Sequence, residues 1–309
     1  MTDLQPLRSG HLPVGDGHDV YWETVGNPEG TPVLYLHGGP GSGASVGQRR
    51  LFDPALHLGV IFDQRGCGRS RPLASLQSDL SVNTTSHLIA DIELLRNHLQ
   101  IERWLLLGLS WGTTLALAYA LSHPQRVTGL VLGLVTTTSK AEVEWITQHM
   151  RRVFPAEWQR FTSVIPSDLR DMRPVDAYVE LLANPATATA AAAEWCRWED
   201  VHVSLDPAFQ PFPRFQDPEF REVFARLVTH YWSNHAFLAE SEILDRAPEL
   251  DGIPGVMIHG RYDVSSPMET PWLLNQTWRS SELHVMDRSG HGGAELLPLV
   301  DDALRRLSN

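Results

Sequence analysis

Short apolar runs separated by glycine-rich turns, alternating with stretches of helical spacing, set the rhythm of this chain. Asp19 to Val25, Val33 to Leu36 and Leu58 to Phe62 read as strands. Thr84 to Leu99 places Leu88, Ile92, Leu95 and Leu99 on one helical face, with Asn83 or Thr84 as its cap. Trp104 to Leu107 is strand-like again, Thr113 to Leu121 helix-like, and Gly129 to Leu134, Gly255 to His259 and Leu283 to Met286 supply further strands. Such alternation predicts an α/β fold, a mostly parallel sheet with helices on both faces. Ligands of such sheets bind beyond the carboxyl ends of the strands.

The rhythm stops between about Ser139 and Leu250. Trp145, Trp158, Trp195, Trp198 and Trp232 fall here, with Phe154, Phe161, Tyr178 and Tyr231, and the alanine-rich Ala186 to Ala193 favours helix. The expectation is a helical cap, 139–250, inserted into a core made of 1–138 and 251–309. Most of its aromatics should simply be the cap's own core. Pro207, Pro211, Pro213 and Pro218 predict an irregular loop within it.

Chemistry is concentrated at the ends of the strands. Gly108-Leu109-Ser110-Trp111-Gly112 lies between a strand-like and a helix-like stretch, with a serine at the apex. A serine hydroxyl is a poor nucleophile unless exposed, paired with a base and set beside oxyanion donors. Asp263 follows the strand ending at His259, and His291 lies in Ser289-Gly290-His291-Gly292-Gly293 after the strand ending at Met286. Taken singly, the aspartate is an ordinary turn former and the histidine an ordinary loop residue. Taken together, the order Ser, Asp, His is that of the α/β-hydrolase arrangement. His291 would take the proton of Ser110, and Asp263 would hold the imidazole tautomer. The loop His37-Gly38-Gly39-Pro40-Gly41-Ser42-Gly43 exposes backbone N–H groups after an early strand; Gly39 and Trp111 are the candidate oxyanion donors. A phosphate-cradling loop is excluded, since neither a Gly-Lys-Ser/Thr ending nor a helix-opening G-x-G-x-x-G follows.

The chain has 309 residues and a formal net charge of −12, which argues against nucleic acid or an anionic membrane as partner. Two cysteines, Cys67 and Cys196, cannot build a disulfide framework and suit a reducing compartment. With no signal-peptide pattern and no long apolar run, a cytoplasmic location is expected. The histidines are scattered, with no H-E-x-x-H or Cys-x-x-Cys, so neither metal nor cofactor is expected. The elbow serine disfavours dehalogenase or epoxide hydrolase chemistry, which uses an aspartate there.

Further motifs run nearly end to end: Gly15-Asp16-Gly17-His18, Tyr21-Trp22-Glu23, Gly26-Asn27-Pro28, the His37 loop, Asp63-Gln64-Arg65-Gly66-Cys67-Gly68-Arg69-Ser70, Asn83-Thr84-Thr85, Leu115 to Ala120 and His259-Gly260-Arg261-Tyr262-Asp263. With these the chain resembles the prolyl aminopeptidases (proline iminopeptidases), serine peptidases of the α/β-hydrolase fold. The resemblance implies Ser110, Asp263 and His291 as catalytic triad, Gly39 and Trp111 as oxyanion donors, and release of an N-terminal residue, proline first, from a small peptide. It also implies cap glutamates that hold the substrate amine. One is matched by Glu199 in Trp198-Glu199. The other falls in Arg226-Leu227-Val228-Thr229-His230-Tyr231-Trp232, where Val228 replaces it; Tyr231 and Trp232 are the remaining substrate-binding candidates. Two more departures stand near the core motifs: Leu109 where a glycine usually precedes the serine, and Gly133 where an arginine often follows the strand. An esterase, lactonase or amidase acting on a small non-peptide substrate would use the same triad, and a binding protein that kept the fold is a further alternative.

Overall fold

The computed structural model describes residues 4–203, 205 and 210–308. Its eight strands are β1 (Arg8–Gly15), β2 (His18–Gly26), β3 (Thr31–Leu36), β4 (His57–Phe62), β5 (Trp104–Leu109), β6 (Val127–Gly133), β7 (Gly255–Gly260) and β8 (Ser281–Met286). They form one sheet in the order β1-β2-β4-β3-β5-β6-β7-β8. β2 pairs antiparallel with β1 and β4, and every later pairing is parallel.

Period-two alternation assigns the strand side chains to two faces. Leu34, Leu36, Leu106 and Leu132 pack in one cluster with α1 (Thr85–His98) and α2 (Trp111–Ser122). Val33, Tyr35, Leu105, Leu107 and Val131 pack in another with α10 (Leu296–Leu307). Both faces are therefore covered, as a parallel sheet requires. α1 begins where its sequence says it should: the Thr84 side chain accepts from the His87 N–H at the N-cap.

Between β6 and β7 the chain runs through α3 (Lys140–Thr147), α4 (Pro155–Ser163), α5 (Pro174–Ala183), α6 (Ala188–His202), α7 (Pro218–Ser233) and α8 (Glu242–Arg246). Their aromatics form a separate apolar cluster in which Phe161 stacks on Tyr178 and Trp198, and Trp195 meets Tyr178 and Trp232 edge-on. The interval 139–250 contributes to two clusters, since Ala236, Ile243, Ala247 and Leu250 join the sheet-side core instead. Of the prolines expected to mark an irregular loop, Pro207 lies outside the described residues. Pro213 opens a short 3-10 turn, Pro213–Gln216, and Pro218 opens α7, both in the first turn, where a missing N–H costs nothing. α9 (Glu269–Thr277) links β7 to β8. No helix among the described residues is long and apolar enough to cross a membrane.

Candidate active site

Ser110 sits at the turn from β5 into α2 with φ 56° and ψ −125°, a conformation that costs about 1–3 kcal/mol for a non-glycine residue. The turn is held by Ser110 N–H donating to Gly133 O at 2.9 Å and by the Thr113 hydroxyl donating to Ser110 O at 2.7 Å. It is tight enough to demand glycine at Gly112, where an added Cβ would lie 2.0 Å from Leu36 O.

His291 and Asp263 reach this serine from the loops after β8 and β7. The His291 Nε2 lies 3.0 Å from Ser110 Oγ, and its Nδ1 lies 2.8 Å from Asp263 Oδ2. The other Asp263 oxygen accepts from Ser266 N–H at 2.8 Å. Behind the carboxylate, His259 stands 3.6 Å from Asp263 Oδ2, its ring fixed between Val135 N–H and Ser266 O. Burial alone would lower the pKa of His291, but the Asp263 carboxylate, with a smaller contribution from Glu199, outweighs it and raises the pKa above 6.5. Burial likewise opposes ionisation of Asp263, and the neighbouring imidazoles overcome it, so that its pKa falls below the ordinary value. The arrangement can move a proton from Ser110 to His291 while Asp263 stays ionised.

Oxyanion donors need rigid placement. Trp111 opens α2, where first-turn N–H groups have no intrahelical acceptor. Gly39 has φ +115°, and its N–H donates to no acceptor among the described residues. Gln64, which the sequence reading gave no role of its own, ties both loops together. Its side-chain amide donates to His37 O at 3.0 Å, its backbone N–H donates to His37 Nε2 at 3.0 Å, and its Oε1 accepts from Trp111 Nε1 at 2.8 Å. The rest of the Asp63–Ser70 motif anchors this loop: Arg65 pairs with Asp91 at 2.6 Å, and Arg69 bridges Asp63 and Glu23 at 2.8 and 3.1 Å. The signature residues near the site are thus largely its scaffolding.

Ser110 and His291 open onto a cavity of about 480 Å³ between sheet and helices. Glu199, on the last turn of α6, lines it and is only 7% exposed; its Oε1 accepts from Trp195 Nε1 at 3.0 Å, and Oε2 lies 3.3 Å from His202 Nε2. Trp232 lines the cavity as well. Tyr231 does not: its ring packs against Trp111, 4.9 Å between centroids, inside the sheet-side core. Neighbours on a helix point about 100° apart, so Tyr231 and Trp232 cannot share one face. Val228 is fully buried among the apolar residues of the helical segment between β6 and β7 and is likewise not in the cavity wall. Leu109 and Gly133 account for each other. A Cβ at Gly133 would meet Leu109 Cδ2 at 2.6 Å, so the leucine before the serine fills the space above the glycine that ends β6. Arg214, His202 and a group of phenylalanines also line the cavity. Nothing in their local sequence distinguishes them.

The α/β-hydrolase fold family matches residues 31–295. A probable proline iminopeptidase of Streptomyces coelicolor is 47% identical, with 98% of this chain and 97% of the relative aligned. The chain belongs to the proline iminopeptidase family. A member from Arabidopsis thaliana is 41% identical over 94% of this chain and 77% of its own length, and one from Neisseria meningitidis serogroup B is 40% identical over 96% and 94%. Among solved structures, the proline iminopeptidase of Mycobacterium smegmatis superposes with a TM-score of 0.67 over 97% of this chain and 99% of its own, at 22% identity, a likeness of fold. The family is one of hydrolytic enzymes, as the elbow serine and the strand-helix alternation predict.

Proposed function

We propose that this protein is a serine aminopeptidase that releases N-terminal proline from short peptides. Ser110 attacks the prolyl carbonyl, His291 accepts its proton and passes it to the leaving amine, and water then hydrolyses the prolyl ester on Ser110 by the reverse relay. Asp263 fixes the imidazole and stabilises its cation. The N–H groups of Gly39 and Trp111 receive the oxyanion. Glu199 holds the substrate ammonium, Trp232 forms part of the wall beside it, and the helices of 139–250 act as the cap. The observation carrying this reading is that His291 bridges Ser110 and Asp263 at 3.0 and 2.8 Å on the wall of a cavity that also holds the Glu199 carboxylate. The kinship with proline iminopeptidases supplies the preference for proline. Two buried free cysteines suit a reducing compartment, which supports a cytoplasmic location.

One observation favours a second reading. Glu199 is the only carboxylate among the described residues of the cavity wall, so the amine site has a single acid, and an esterase or amidase on a small non-peptide substrate would also fit. A panel comparing prolyl-, alanyl- and leucyl-naphthylamide with short p-nitrophenyl esters separates the two. The proposal expects prolyl-naphthylamide to have the highest kcat/KM. Ester turnover with no hydrolysis of any aminoacyl-naphthylamide would replace it with the second reading.

A further inference from the structure

The cavity that holds Ser110 carries a cation the reaction above does not use. Arg214, in the turn Pro213–Gln216 that precedes α7, lines it together with Tyr35, Ser42, Gly43 and Gln48. Its guanidinium lies over the face of Phe220, 4.2 Å from the ring centroid, which fixes the plane and leaves the N–H edges available. Nη2 points at the glycine loop, 3.7 Å from where a Cβ on Gly43 would stand. Among the described residues it makes no ion pair and donates no hydrogen bond. The acid beside it, Asp63, is committed elsewhere: Oδ1 accepts from Ala44 N–H at 2.7 Å, and Oδ2 from the backbone and Nε of Arg69, both at 2.8 Å.

Arginine rather than lysine is the group suited to planar, two-pronged recognition of a carboxylate. The wall of the cavity therefore presents one carboxylate, Glu199, and one guanidinium, Arg214, with the serine in the same space. At about 480 Å³ it lies toward the small end of ligand pockets, which run about 300–1,000 Å³. A ligand that fills it and satisfies both charges is a small zwitterion. On the aminopeptidase reading, on which this inference rests, the ammonium belongs to the residue being released and the carboxylate to the leaving group.

We propose that Arg214 binds the free C-terminal carboxylate of a dipeptide substrate, making the enzyme selective for very short peptides with an uncapped C-terminus. A longer or amidated peptide retains the Glu199 contact and loses this one. Because the arginine is exposed at the cavity wall, the discrimination should be about tenfold, the lower end for a charge-assisted contact.

The test compares prolyl-alanine with prolyl-alanine amide in the wild type, Arg214→Gln and Arg214→Lys. The expected result is a wild-type kcat/KM ratio favouring the free acid, reduced about tenfold in Arg214→Gln and partly recovered in Arg214→Lys, with the effect shrinking at high salt. An unchanged ratio in Arg214→Gln overturns the proposal. The same two peptides are titrated calorimetrically into the Ser110→Ala protein with and without Arg214→Gln. If the wild type fails to turn over any prolyl substrate, the aminopeptidase reading fails, and this titration still decides on Arg214. A selective loss of prolyl-alanine binding sustains it. Equal losses for both peptides, or no binding of either, overturn it.

Discussion

Replacing Glu199 by glutamine removes one negative charge from the cavity while keeping the side chain's size. The amide oxygen can still accept from Trp195 Nε1, now 3.0 Å from Oε1, so α6 should keep its local geometry. On the proposed role of Glu199, what is lost is the charge-assisted contact to a substrate ammonium, worth about 1.5–3 kcal/mol in a site shielded from water. At 1.4 kcal/mol per decade this corresponds to roughly a ten- to hundredfold rise in KM for prolyl-naphthylamide. Because the ammonium is bound equally in ground and transition states, kcat on the high-pH plateau should change little. An ester of matching size without the amine should keep its KM. The assay is a pair of saturation curves, one per substrate, on wild type and Glu199→Gln. If both substrates are affected by the same factor, Glu199 acts through packing or through His291, and its assignment to the amine is wrong.

Three further outcomes follow from the geometry. His291 must be neutral to act as base and its pKa is raised, so the acid limb of kcat/KM should lie above pH 6.5 and move toward lower pH in Glu199→Gln; a limb that stays in place contradicts the coupling. Gly133→Arg should cost about 1–3 kcal/mol by overpacking against Leu109, and Leu109→Gly in the same chain should recover most of it; strictly additive effects in urea unfolding would refute the coupling. Val228→Glu buries a carboxylate in the apolar cluster of the helical segment and should destabilise by more than about 3 kcal/mol rather than add a second acid to the cavity; near-normal stability with a lowered KM for prolyl substrates would contradict this.

The parts of the site that were legible in sequence are those where chemistry and chain geometry coincide locally. The elbow needs glycine on both sides of Ser110, and Asp263 and His291 each follow directly on a strand whose apolar run is unmistakable. β1 was not legible, because this strand pairs only with β2 and most of its residues are exposed, which leaves little hydrophobic alternation to read. α10 does carry a helical period in Leu296, Val300, Ala303, Leu304 and Leu307, and a window extended past the His291 loop finds it. Tyr231 and Trp232 could not be separated without the helix phase, which sends one to the core and the other to the cavity. Arg214 and His202 reach the cavity through tertiary packing of the helical segment, and no local pattern encodes that. The roles of Gln64 and of the Leu109–Gly133 pair are relations between distant positions, visible only once β4, β3, β5 and β6 lie side by side.

The central claim is that Ser110 attacks a prolyl carbonyl through His291. Its most direct test is release of free proline from prolyl-alanine and prolyl-naphthylamide by the wild type and by Ser110→Ala, with folding of both checked by circular dichroism. The account predicts that wild type liberates proline and that Ser110→Ala, folded alike, loses at least about three orders of magnitude in kcat/KM, since nucleophile and base act as a unit. Proline release by Ser110→Ala at more than about a tenth of the wild-type rate would contradict it.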